Sequence, residues 1–173
     1  MTYQRIMVIG CCGAGKSTLA RALGERTGIE VIHLDAHYWQ PDWTETAPEP
    51  WREIVRELAA GDRWIIDGNY GGTMDLRLAR ADLVIYLDYP TMNCLWRVLR
   101  RTHHYHGSPR PDMPDGCPER YDLEFLHYVA TFNLTRRKFL LRKLEPLRTQ
   151  KRVVILRNDR EVTDFLENPG HKW

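Results

Sequence analysis

Apolar residues in this chain come in short unbroken runs, and longer stretches of mixed polarity separate them. The runs at 5–9 (Arg-Ile-Met-Val-Ile), 31–34, 64–67, 83–87 and 152–156 are too short for helices and lack polar alternation. They predict strands buried on both faces. Between them lie stretches with helical spacing. Leu19, Ala20, Ala22 and Leu23 give residues 17–27 one apolar face, and Gly28 marks the stop. A second helix is predicted from Pro50 to Gly61, with proline at a first turn and glycine at the end. Further helices are expected at about 73–80, 91–102, 119–144 and 160–167. Two segments break the pattern: 36–49 is polar, aromatic and proline-bearing, and 103–118 holds histidines, glycines and four prolines. Both are expected to be loops. Strands alternating with helices predict an α/β fold, a parallel sheet covered by helices on each side. Ligands in such sheets bind beyond the carboxyl ends of the strands. Four of the five strands run into Gly10, Asp35, Asp67 and Asp88, which gathers scattered residues into one expected site.

The first strand runs into Gly10-Cys-Cys-Gly13-Ala14-Gly15-Lys16-Ser17, followed by Thr18. This matches G-x-x-x-x-G-K-[ST] in its required setting, after a strand and before a helix. The glycines let successive N–H groups point inward as an anion nest, and the helix N-terminus adds its dipole. Lys16 is placed for the β- and γ-phosphates, the Ser17 hydroxyl for Mg²⁺ and Thr18 for a further phosphate contact. The motif predicts ATP or GTP. No guanine-reading N-K-x-D is present, which leans the reading to ATP, and the chain has room for one small acceptor site beside the nucleotide. A small kinase is the expected outcome.

The acceptor side is expected after the second and third strands. Asp35 is suited to take a proton from an acceptor hydroxyl or to hold that hydroxyl, or else to cap the following turn. Asp67, in Asp67-Gly68-Asn69, is placed to hold Mg²⁺ through water, with Asn69 beside it for the acceptor, or to cap a turn. Tyr38, Trp39 and Trp43 either wall a base or sugar or seal the arm against the next helix with Trp51. His33 reads as a packed or surface histidine. After the fourth strand, Arg97 and Arg101 are four apart and share a helix face. Guanidinium groups match the charge that phosphoryl transfer spreads over three oxygens. Arg110 and Arg120, in the proline-rich loop, are expected to close over the site as part of a mobile lid. The cluster His103-His104-Tyr105-His106 lacks a partner at metal-ligand spacing.

Composition narrows the setting. The chain has 173 residues, 43% hydrophobic and 28% charged, which predicts one domain with a sizeable core. No apolar run reaches the roughly 18 residues of a membrane span, and no membrane partner is expected. Four cysteines, two of them vicinal (Cys11, Cys12), suit reduced thiols and a cytoplasmic protein. The net charge of +2 hides a gradient: residues 1–96 carry −4 and residues 97–152 carry +7. The basic block is either a solvated helix face or a seat for an anionic partner, nucleic acid among the candidates.

With these motifs in hand, the chain resembles the nucleoside-monophosphate-kinase-like P-loop kinases. More narrowly, it is similar to the small adenylate-kinase-related group called DNA topology modulation proteins. The likeness is carried by the phosphate loop, by Leu34-Asp-Ala-His-Tyr-Trp-Gln-Pro-Asp-Trp43, by Trp64-Ile-Ile-Asp-Gly-Asn-Tyr-Gly-Gly-Thr73, by Cys94-Leu-Trp-Arg-Val-Leu-Arg-Arg101 and by the Arg-Pro-Asp-Met and Gly-Cys-Pro-Glu strings between 110 and 119. The resemblance implies a three-layer α/β/α P-loop NTPase fold with five parallel strands in the order 2-3-1-4-5. It also implies one kinase domain over 1–173, an acceptor-binding arm at 36–61, a lid at 102–120 and Arg97 near the adenine and phosphates. Mg·ATP would be the phosphoryl donor, and a monomer or homodimer is expected. The sequence departs from adenylate kinases where those place an acceptor-phosphate arginine after Asp-Gly. Here no arginine follows Asp67 until Arg77, and the arm has no basic residue until Arg52. That departure favours a hydroxyl acceptor, such as a nucleoside, sugar or other alcohol, over a nucleoside monophosphate. The rival reading is a nucleotide-binding regulator or ATPase that acts on DNA through the basic block.

Overall fold

The computed structural model describes residues 3–108 and 112–169. Five parallel strands form the central sheet: β1 (Arg5–Gly10), β2 (Val31–His33), β5 (Trp64–Asp67), β6 (Leu83–Leu87) and β7 (Arg152–Leu156). Their spatial order is β2-β5-β1-β6-β7, which is 2-3-1-4-5 when the strands of this sheet are counted along the chain. All five apolar runs pair in register, and β1, β5 and β6 are buried along nearly their whole length. That is why they carry no polar alternation.

Helices cover the sheet and make it a three-layer α/β/α fold. They are α1 (Lys16–Thr27), α3 (Pro48–Ala60), α4 (Met74–Arg80), α5 (Thr91–Tyr105), α6 (Leu123–Thr135), α7 (Arg137–Leu144) and α8 (Asp159–Glu167). α1 lies against β1, β2 and β5 and meets α8, α3 packs on α4, and α5 packs on α6. Leu19, Ala20 and Leu23 are the buried face of α1, as the spacing predicts, and Gly28 closes it in the left-handed conformation. Among the described residues, no helix is long and apolar enough to cross a membrane.

Three expectations are corrected. Residues 36–49 are not an irregular loop. They hold most of a short helix, α2 (Leu34–Tyr38), and a hairpin of β3 (Trp39–Gln40) and β4 (Thr44–Glu45) around a tight turn at Pro41–Trp43. Ring packing of Trp39 on Trp43, 5.4 Å between centroids, ties the two sides of that turn together. The helix expected over 119–144 is two helices with a break at Arg136. Thr131 and Thr135 bond back to carbonyls four residues earlier, a habit that weakens a helix, and Asn133 reaches out to the Tyr89 carbonyl at 3.0 Å. Third, α5 runs to Tyr105, past the expected stop at 102.

Candidate active site

β1 carries Gly10 to the carboxyl edge of the sheet, where the chain turns through Cys11–Gly15 and enters α1 at Lys16. Gly13 has φ 84, and a Cβ there would collide with the Cys94 carbonyl and lie 3.0 Å from Val98 Cγ2 of α5. Only glycine fits that approach. From the other side Asn69 grips the loop's first residue. Its Oδ1 accepts from the Gly10 N–H at 3.0 Å and its Nδ2 donates to the Gly10 carbonyl at 2.8 Å. Asn69, expected to meet the acceptor, thus spends its amide on the phosphate loop. Lys16 Nζ donates to the Cys11 carbonyl at 3.2 Å and so lies along its own loop. The first turn of α1 has no acidic residue, so its positive pole is not neutralised from within. Behind the loop the buried Cys11 thiol donates to the Val129 carbonyl at 3.9 Å, and the neighbouring Cys94 thiol together with burial pushes the Cys11 thiol above its ordinary pKa. Among the described residues all four cysteines are free thiols.

A cleft of about 1440 Å³ joins this loop to the arm that follows β2. Gly13, Ala14, Gly15, Lys16, Ser17 and Thr18 line one wall, and Asp35, Tyr38, Trp39 and Trp43 line another. Asp67 and Asn69 sit in the same cleft, so most of the expected site residues do converge. Asp88 does not. It is buried in a two-pronged ion pair with Arg137, at 2.7 and 2.8 Å.

Asp67 ends β5, only 4% exposed, and its Oδ2 lies 3.0 Å from His33 Nδ1. The β2–β5 register sets His33 directly beside it. This hydrogen bond raises the imidazole pKa above its ordinary value. His33, expected as a bland packed or surface residue, is instead the partner of a site carboxylate. The adjacency of the second and third strands was the available signal.

Asp35 sits inside α2 rather than at a strand end, and it receives the Tyr70 hydroxyl at 2.6 Å. Tyr70 was not anticipated. It has a left-handed backbone, φ 38 and ψ 69, in the turn after β5. Its ring packs on Tyr38 (4.7 Å) and on buried Trp51 (4.8 Å). Tyr38 therefore helps seal the arm, whereas Trp39 and Trp43 remain half-buried at the cleft. Arg77 is fully buried. It donates to the Gly68, Asn69 and Tyr70 carbonyls at 2.7, 2.6 and 3.3 Å, and burial lowers its pKa to about 10. Arg52 turns to Asp75 and to the Gly72 carbonyl.

Arg97 holds Asp159 at 2.6–2.7 Å, stacks over Tyr89 and passes 3.5 Å from the Ala14 carbonyl, beside the phosphate loop. Arg101 pairs at 3.1 Å with Glu119, a buried carboxylate that also accepts from Thr102. Arg120 lines the cleft. Arg110 lies outside the described residues. Segment 112–119 crosses to the arm: Cys117 Sγ donates to the Gln40 carbonyl (3.2 Å), Asp42 N–H to the Gly116 carbonyl (2.9 Å) and Trp43 Nε1 to the Pro118 carbonyl (3.0 Å). Among the described residues no three His, Cys, Asp or Glu side chains converge as a metal site. His103 and His106 instead contact Tyr121, and His104 packs on Tyr105.

No protein-family model matches the chain. The Bacillus subtilis (strain 168) protein described as "Uncharacterized protein YqaC" is 29% identical over 107 residues, 61% of this chain, and the match spans 60% of that relative's length. Among solved structures, shikimate kinase from Acinetobacter baumannii in complex with shikimate aligns over 97% of this chain and 91% of its own, with TM-score 0.55 and 19% identity. Shikimate kinase from Bacteroides thetaiotaomicron aligns over 97% of both chains, with TM-score 0.56 and 18% identity. A sugar kinase from Janibacter sp. HTCC2649 covers 96% of this chain and 91% of its own, with TM-score 0.54 and 19% identity. At these identities the likeness is one of fold, and it is the fold of P-loop kinases.

Proposed function

We propose that the protein is an ATP-dependent phosphotransferase that moves the γ-phosphoryl group of Mg·ATP onto a hydroxyl of a small acceptor. The observation that carries this reading is one cleft holding the phosphate loop on one wall and Asp35 with its aromatic neighbours on another. Kinase folds among the similar structures support it. The motif strings that resemble the DNA topology modulation group support membership of that narrower set under the same reading.

The residues fit the donor. Gly13 lets the loop lie close against α5, where a side chain would force the two apart, and Lys16 and the α1 N-terminus supply positive charge to the β- and γ-phosphates. Ser17 and Asp67 offer the hard oxygen ligands that Mg²⁺ takes, together with phosphate oxygens and water. When bound there, Mg²⁺ would neutralise charge on those oxygens. Asp35 accepts the acceptor's hydroxyl proton as that oxygen forms its bond to the γ-phosphorus. The bond from phosphorus to the β–γ bridging oxygen breaks, and ADP leaves. Arg97 and Arg101 stand on α5 to meet the charge on the transferring group once they exchange their carboxylate partners for it. The arm at 36–61 would hold the acceptor and the segment at 102–120 would close over it.

The rival nucleic-acid reading weakens at the basic block itself. Arg97, Arg101 and Arg137 of that block are paired with Asp159, Glu119 and Asp88. The test is ADP release from Mg·ATP against nucleosides, nucleoside monophosphates, sugars and hydroxy acids, with Lys16→Ala as the blank. Stimulation by a hydroxyl compound is expected. A flat panel with tight ATP binding, together with DNA binding that falls steeply with salt, would favour the regulator.

A further inference from the structure

We infer that the acceptor end of the cleft selects a hydroxyl compound bearing no anionic group, and that Tyr70 is the positioning residue that aims Asp35 at the hydroxyl. This inference rests on the phosphotransferase reading.

The first support is a count of cations. Residues 34–51 contain no Lys or Arg but carry Asp35, Asp42, Glu45 and Glu49. The next basic residue, Arg52, is held by Asp75 and the Gly72 carbonyl. Arg77 is buried on three backbone carbonyls and faces no acceptor. His37 lies outside this cleft, in a separate hollow beside Glu57 and Trp64. Arg21 and Asp112 act on His33 with opposite sign. Among the described residues, the other arginines along the cleft are Arg97, Arg100 and Arg101 on α5 and Arg136 at the α6–α7 break, elements that adjoin the phosphate loop, together with Arg120, which follows the buried carboxylate Glu119. A carboxylate or phosphate on the acceptor would therefore lie among carboxylates without a cation of the arm to meet it. The half-buried Trp39 and Trp43 suit the C–H face of an uncharged ring.

The second support is the strain at Tyr70. A tyrosine at φ 38 is uncommon and strained. Here it is over-determined. Arg77 and the Thr73 N–H both bond its carbonyl, at 3.3 and 3.0 Å, and its ring is packed on Tyr38 and Trp51. The conformation brings the phenol to 2.6 Å from Asp35 Oδ1, which fixes the carboxylate's rotation and leaves Oδ2 for the acceptor. The titratable groups that act on Tyr70 are Asp35, the Cys12 thiol from the phosphate loop and Tyr38. With burial they raise its pKa, so the phenol stays a donor.

The experiment measures kcat/KM for acceptor-stimulated ADP release with matched compounds: a hexose, its hexosamine and its hexuronic acid, and a nucleoside with its monophosphate. The acid and the monophosphate are expected to fall about 30-fold or more below their uncharged or amine partners, the cost of an unpaired anion beside carboxylates. Tyr70→Phe is expected to lower kcat about tenfold with KM for ATP and the urea unfolding midpoint unchanged, because Asp35 keeps its place but loses the hydrogen bond that sets its rotation. A role for Tyr70 in folding alone would lower the unfolding midpoint and leave the kcat of the folded protein in place. Equal or better turnover of the acid or the monophosphate, or an unchanged kcat in Tyr70→Phe, overturns the inference while leaving a kinase. No stimulation by any compound in the panel overturns the phosphotransferase reading along with it.

Discussion

Arg77 puts a guanidinium in the interior with its hydrogen bonds directed at backbone carbonyls, those of Gly68, Asn69 and Tyr70. An arginine this deeply buried is costly, and burial already lowers its pKa to about 10. It persists because the turn it fastens holds both Asn69, which grips the phosphate loop, and Tyr70, which grips Asp35. Arg77→Met would strand the Gly68 and Asn69 carbonyls, leaving that of Tyr70 to Thr73, and is expected to cost about 3 kcal/mol in urea unfolding. A loss under 1 kcal/mol would show that the turn stands without it. His33 makes a second prediction at this scale. Its pKa is raised in the fold by the Asp67 hydrogen bond, so the pair's contribution is complete below the ordinary histidine value of about 6.5 and fades as pH rises through the raised one. In Mg²⁺-free buffer, the stability gap between the wild type and His33→Gln should therefore narrow as pH rises above about 6.5. A gap constant from pH 5.5 to 8.5 would remove the pair's role.

Between elements, the decisive contact is the phosphate loop against α5. Gly13→Ala must hold an alanine at φ 84 while its Cβ meets the Cys94 carbonyl, so loop and helix have to part. ATP binding is expected to weaken about tenfold or more, by the cost of that strain, while far-UV circular dichroism stays unchanged. Calorimetry that finds unaltered affinity would mean the loop does not need α5. This loop was fully legible in the sequence because its glycines, lysine and serine are adjacent in the chain. The strands were legible as well, since burial on both faces erases polarity from them. The α6–α7 break was harder to see, because Thr131, Asn133 and Thr135 keep helical spacing and reveal themselves only through the carbonyls they reach. His33, Asn69 and Tyr70 were misjudged or missed for a related reason. Each acts on a residue 34 to 59 positions away, and sequence spacing says nothing of such pairs.

Across the whole molecule, the arm and the segment that crosses from α5 form one roof. Trp43 Nε1, Asp42 N–H and Cys117 Sγ join them over the cleft, and Glu119 anchors the crossing segment to Arg101 and Thr102 of α5. The arm borders the proposed acceptor end and α5 borders the phosphate loop. A ligand at either end that favours the joined roof must then favour binding at the other, since coupling between sites is reciprocal. Trp43→Phe keeps a ring against Trp39 but cannot donate to Pro118. The lost bond, about 1 kcal/mol, should raise KM for the acceptor about fivefold and change kcat little. The same substitution should also shrink the tightening of a non-hydrolysable ATP analogue that a saturating acceptor produces in the wild type, measured by calorimetry with and without acceptor. If the acceptor tightens the analogue equally in both proteins, the two ends of the cleft communicate through the sheet edge and not through the roof.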